Sequence, residues 1–139
     1  MNQIEIQRRI LITVAGLVLL SVILMIIIIP SVLQDTSAGA GPIGATIGIV
    51  VLMMLHLTVL LGFLKAIRRN KRGRPAGKGL NIVLGILLVL FGLFYMDGAF
   101  AFFDPILFVS ILMFIIAFCD IVAALITFAA LFMKPKKNN

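Results

Sequence analysis

The sequence predicts an all-α membrane protein in which four transmembrane helices form two antiparallel hairpins. Its composition is the first reason: 63% of the 139 residues are hydrophobic and 12% are charged, whereas about a quarter of a soluble domain is charged. The second is the presence of four apolar runs, each long enough to cross a hydrocarbon core about 30 Å thick. We interpret residues 1–139 as one four-helix transmembrane domain.

The four spans are read from uninterrupted apolar runs. In chain order they cover about 10–29, 43–64, 80–103 and 106–133. Pro30 follows the first run directly. Asp97 interrupts the third run. The fourth run is longer than one bilayer thickness requires, so we expect it to tilt or to protrude.

The distribution of charge predicts the orientation. All twelve Lys and Arg residues precede the first span, lie between the second and third, or follow the fourth, and basic residues are retained on the cytoplasmic side. We therefore expect both termini to be cytoplasmic, in an integral protein of the bacterial cytoplasmic (inner) membrane.

The predicted loop 65–79 between the second and third spans is strongly basic. Its basic residues are Lys65, Arg68, Arg69, Lys71, Arg72, Arg74 and Lys78. Such a cluster beside membrane helices attracts anionic lipid headgroups by about 1 kcal/mol per charge, and docking of an acidic cytosolic partner is the alternative. Nucleic-acid binding is not expected, because the cluster lacks interleaved aromatic residues and a folded domain.

Small residues at helical spacing mark faces where membrane helices pack closely. The candidates for such packing are Gly44, Gly48, Gly85, Gly92, Ala117 and Ala124. Gly44 and Gly48 belong to the strongest signal, at the start of the second span. Tyr95 is the one tyrosine and the chain has no tryptophan, so Tyr95 alone is a candidate for the aromatic anchor at the membrane interface.

Asp120 is the most informative single residue, because a carboxylate near the middle of a membrane helix costs at least about 2.5–3.5 kcal/mol on insertion scales. Small and polar residues recur every three or four positions around it, so we expect its side chain to point into protein. Two interpretations stay open. Asp120 binds a proton or cation, or it is a polar contact that sets helix registry.

His56 is the candidate partner of Asp120. Counted from the basic end of its span, it lies roughly 13 Å into the membrane, and Asp120 reaches the same depth if the fourth helix projects about two turns. Three roles stay open for His56: a proton relay with Asp120, a ligand of a cofactor held by a larger assembly, or a hydrogen bond to a neighbouring helix.

Several classes of function are not expected. One histidine and one cysteine cannot build a multi-histidine metal site or a thiolate zinc cluster within one chain. The sequence contains no recognisable catalytic set and no sizeable domain outside the membrane. We therefore expect no enzyme activity, no metal and no cofactor.

Three functions remain compatible with these observations. The first is an accessory or scaffolding subunit that packs laterally onto a larger membrane complex or associates with itself. The second is a small oligomeric transporter or channel for protons or cations that uses Asp120. The third is a membrane-embedded immunity or regulatory protein.

Overall fold

The structure, a computed structural model, describes residues 3–34, 41–75, 77–101 and 107–132. These form four helices: α1 (Gln3–Gln34), α2 (Gly41–Lys71), α3 (Lys78–Ala101) and α4 (Leu107–Phe132). Each helix is long and apolar enough to cross a membrane, and the described residues include no strand. The predicted all-α, four-span class is confirmed, and the protein is an integral membrane protein.

The helices occupy the corners of a four-sided bundle in chain order. The closest packing is between α3 and α4, followed by α1 with α2 and α1 with α4. α2 and α3 contact each other least of the four neighbouring pairs, and we call their boundary the α2–α3 seam. The α1–α2 and α3–α4 hairpins are therefore joined mainly through α1 and α4.

α1 extends beyond the first predicted span at both ends. α1 continues through Pro30 to Gln34, and at its other end it begins at Gln3, well before the apolar run. Proline is tolerated within membrane helices because neighbouring groups and small local adjustments satisfy the backbone group that it frees. The apolar run therefore measures the part that crosses hydrocarbon and not the length of the helix.

The predicted loop 65–79 is also shorter than expected. α2 continues to Lys71 and α3 begins at Lys78, so most of the basic cluster lies on helical turns. Lys and Arg are good helix formers and interact favourably with the carboxyl end of a helix, which explains why α2 does not stop where its apolar run stops.

The end of α2 is a Schellman motif centred on Gly73. The Gly73 amide donates to the Asn70 carbonyl at 3.0 Å and the Arg74 amide donates to the Arg69 carbonyl at 3.2 Å. These two bonds require a residue in the left-handed region, and Gly73 has a φ of 72°. The glycine, and not the change from apolar to charged residues, decides where this helix ends.

Some predicted boundaries lie outside the described residues. These are residues 102 and 103 of the third predicted span and residues 106 and 133 of the fourth. Within the described residues, the face of α4 that carries Asp120 is buried as predicted. Its members are Ser110, Met113, Ala117, Asp120, Ala124 and Thr127.

Candidate functional site

Three polar side chains from three helices meet in the interior of the bundle. Ser21 lies on α1, His56 on α2 and Asp120 on α4, and none of them has any appreciable solvent exposure. The Nε2 atom of His56 lies 2.8 Å from Oδ2 of Asp120, and the Ser21 hydroxyl donates to Oδ1 of Asp120 at 2.9 Å. Both carboxyl oxygens are thus hydrogen-bonded, which is what burial of such a group requires.

The protonation of His56 follows from its second ring nitrogen. Nδ1 lies 3.0 Å from the carbonyl oxygen of Leu52, one turn earlier on α2. A carbonyl oxygen only accepts, so Nδ1 carries a hydrogen and donates it. Nε2 and Oδ2 then share one further proton: a neutral imidazole accepts from the carboxylic acid, or an imidazolium donates to the carboxylate. The pair is electrically neutral in both forms.

This contact crosses the bundle diagonally. α2 and α4 occupy opposite corners, and the side chains of His56 and Asp120 bridge them. The other diagonal is bridged at the same place, where the Tyr95 hydroxyl of α3 donates to Sδ of Met25 on α1 at 3.0 Å. All four helices therefore contribute side chains to one central layer.

Aromatic rings of α3 close the site. Phe91 is stacked on the imidazole of His56, with ring centroids 4.4 Å apart and an interplanar angle of 26°. Tyr95 meets the same imidazole edge-on at 5.7 Å. With one ring nitrogen held by Leu52 and one face covered by Phe91, the imidazole is fixed in the orientation that points Nε2 at the carboxyl group of Asp120.

The His56–Asp120 contact is unlike the other ion pair of the described residues. That pair, Arg9 with Glu5, joins exposed side chains one turn apart at 3.3 Å, and such a pair contributes little. The central pair excludes water and joins two helices. No group of three His, Cys, Asp or Glu side chains within the described part of the chain is arranged to hold a metal ion.

The structure places two of the predicted packing glycines at close helix contacts. A Cβ atom on Gly92 would lie 2.6 Å from Cγ1 of Ile121, and one on Gly85 would lie 2.8 Å from the ring of Phe128. Both contacts join α3 to α4. Ala117 and Ala124, on the same side of α4, have no exposure. These four small residues allow the second hairpin to pack closely.

The glycines of α2 behave differently. A Cβ atom on Gly48 would meet nothing within 4 Å, and Gly48 is exposed while Gly44 is half-buried. Gly48 therefore makes no close helix contact within this chain, contrary to a packing role inside the bundle. A spacing pattern cannot distinguish a face that packs internally from one that is turned outward.

Sequence reasoning missed Ser21 and misplaced Tyr95. Tyr95 is 2% exposed and lies in the central layer, so its expected role as an interfacial anchor is wrong. The sequence feature that could have identified them is their hydroxyl group. Ser21 and Tyr95 lie within apolar runs, where a buried polar group needs a hydrogen-bond partner. Their partners depend on how each helix is rotated, which the sequence does not specify.

The basic cluster lies far from this layer, at the end of the bundle where α2 meets α3. Its members are all exposed: Lys65, Arg68, Arg69, Lys71, Arg72, Arg74 and Lys78. No protein-family model matches the chain, and no match was found among curated proteins or solved structures. The geometry of the central layer therefore carries the functional argument.

Proposed function

We propose that the protein moves protons across the membrane and that the His56–Asp120 pair is its intramembrane proton-binding site. The observation that carries this proposal is the 2.8 Å contact between Nε2 and Oδ2, in which two titratable groups share a proton away from water. Ionisable residues are rare within membrane helices, where they pair with one another and mark ion pathways and proton relays.

The pair also links proton occupancy to helix packing. Loss of the shared proton leaves the carboxylate of Asp120 facing the lone pair of Nε2, and their repulsion in a low-dielectric interior favours separation. Because the two groups bridge α2 and α4, separation loosens the bundle. The α2–α3 seam has the fewest contacts to break, so opening beside His56 costs least there.

We propose the orientation of the protein in the membrane, and the membrane in which it lies, from the distribution of its charged residues. With the basic cluster in the cytoplasm of a bacterial cell, both termini are cytoplasmic and the protein lies in the cytoplasmic membrane. The exposed basic side chains at the end of α2 then contact anionic lipid headgroups. α1 and α3 enter the membrane from this side, and α2 and α4 return to it.

The test is proton flux in proteoliposomes under an imposed membrane potential, followed with a pH-sensitive dye trapped in the lumen. We expect liposomes containing the protein to acidify faster than empty liposomes. Asp120→Asn retains the shape of the side chain but does not titrate, so its flux should fall to the level of empty liposomes.

Cys119→Ala is the matched control, because it alters the neighbouring residue of α4 and leaves the pair in place. Its flux should equal that of the unmodified protein. Absence of flux from the unmodified protein, or full flux from Asp120→Asn protein that inserts and folds normally, would contradict the proposal.

A second function is favoured by the outward position of Gly48. α2 is the least buried of the four helices, and its exposed apolar face offers a surface for lateral packing as an accessory, scaffolding or regulatory subunit. Purification from native membranes in mild detergent tests this function. We expect unrelated membrane subunits at fixed stoichiometry if it is correct, and the chain alone or as a homo-oligomer if it is not.

A further inference from the structure

A cleft of about 210 Å³ lies in the α2–α3 seam, in the half of the bundle away from the basic cluster. The residues that line it are Gly48, Ile49, Leu52, Phe94, Tyr95, Gly98 and Met113. Its mouth is at the bundle surface, where Gly48 is exposed and Phe94 is 58% exposed. Its floor is formed by buried side chains, among them Ile49, Tyr95 and Met113.

The chemistry of the cleft selects a hydrocarbon occupant. Its surface is almost wholly apolar, and a water molecule needs two to four polar partners to remain in such a space. The membrane-spanning position of the seam means that the surrounding medium is lipid. A second copy of the chain fits less well, because a helix with its side chains is about 10–12 Å in diameter and is too wide to enter a cleft of this volume.

The cleft ends beside the polar layer. Leu52, which lines it, is the residue whose carbonyl accepts the Nδ1 hydrogen of His56, and Tyr95 contacts the His56 ring. Gly48 provides the space at the mouth, since a Cβ there would meet nothing within 4 Å. An occupant of the cleft therefore separates the His56 region from the lipid side of the seam.

We propose that one acyl chain of a bilayer phospholipid binds in this cleft and seals the α2–α3 seam next to His56. Binding depends on van der Waals contact along Ile49, Leu52 and Met113, because the lipid tails are as apolar as the cleft and close packing is the gain that remains. The binding itself does not depend on proton movement. The sealing role does rest on the proton-binding function proposed above.

The fluorescence of Tyr95 provides the test. The chain has one tyrosine and no tryptophan, so its tyrosine emission comes from the wall of the cleft alone. In bilayers of phosphatidylcholine brominated at the middle of its acyl chains, we expect strong quenching relative to unbrominated lipid, because bromine quenches at short range. Gly48→Leu should lose most of this quenching, since the added side chain takes the open space at the mouth.

Gly16→Leu is the matched control, because Gly16 is exposed on α1 and a Cβ there also meets nothing within 4 Å. It should be quenched like the unmodified protein. Asp120→Asn should also keep the quenching, which separates failure of lipid binding from failure of the proton site. Equal quenching of Gly48→Leu and the unmodified protein would overturn the proposal.

A second measurement uses only the unmodified protein. Because the cleft lies within the membrane-spanning part, bromine at mid-chain should quench Tyr95 more than bromine next to the headgroup. No quenching by either lipid would overturn the proposal, and this result is expected if a second copy of the chain covers the cleft.

Discussion

Replacement of Gly92 by leucine should separate α3 from α4 and destabilise the protein by about 3 kcal/mol, at the upper end of the usual cost of overpacking. A Cβ atom at this position would lie 2.6 Å from Cγ1 of Ile121 and 3.2 Å from the backbone oxygen of Ala117. A side chain can rotate away, but the backbone of α4 can yield only if the helices move apart. Unfolding in mixed micelles, followed by circular dichroism, measures the effect.

Gly16→Leu is the control for this prediction as well, because Gly16 has open space around it. Its stability should remain within about 0.5 kcal/mol of the unmodified protein. Gly85→Ala should cost less than Gly92→Ala, since its added methyl group meets only the ring of Phe128. Wild-type stability of Gly92→Leu would contradict the close approach of α3 and α4.

His56→Leu and Asp120→Leu should each destabilise the bundle by about 2 kcal/mol, whereas the double variant should recover most of that loss. Each single change leaves a buried polar partner without its hydrogen bond, and removing one member of a buried pair costs about 3–5 kcal/mol. Couplings measured between membrane helices are smaller, averaging about 0.6 kcal/mol, so the expected cost of each single variant lies below this range, at about 2 kcal/mol. Replacing both members removes the unpaired half of the pair and leaves only the Ser21 hydroxyl without its Asp120 acceptor.

The measurement is a double-mutant cycle of unfolding free energies for the two single variants and the double variant. Ser21→Ala serves as the reference, because it removes one hydrogen bond to Oδ1 and leaves the pair intact; we expect a cost of about 1 kcal/mol. Additive losses in the double variant would mean that His56 and Asp120 do not interact in the folded protein.

The sequence alone predicted the features that depend on the hydrocarbon core. Run length and charge predicted four helices and their pairing into hairpins, and the three- and four-residue period on α4 predicted the buried face around Asp120. Counting residues from the helix ends placed His56 and Asp120 at nearly the same depth if the fourth helix projects about two turns, and the structure brings the two side chains to 2.8 Å. These features could be predicted because depth in a membrane scales with position along a straight helix.

Other features depend on backbone hydrogen bonds, which hydropathy does not report. α1 passes through Pro30 because the membrane helix tolerates a missing donor. α2 ends at Lys71 because Gly73, two residues later, adopts the left-handed conformation that closes the Schellman motif. The apolar runs, which end at Ile29 and Leu64, therefore stop short of the ends of both helices.

The tertiary structure decided which side chains meet. Rotation of each helix about its own axis brings Ser21 to Asp120 and buries Tyr95, and it turns Gly48 outward while Gly92 packs against α4. A single sequence specifies the residues on each helical face but not the neighbour that each face contacts. The packing of all four helices together decides which neighbour each face contacts. Depth in the membrane therefore made His56 and Asp120 candidate partners, but it could not predict the side chains that surround them.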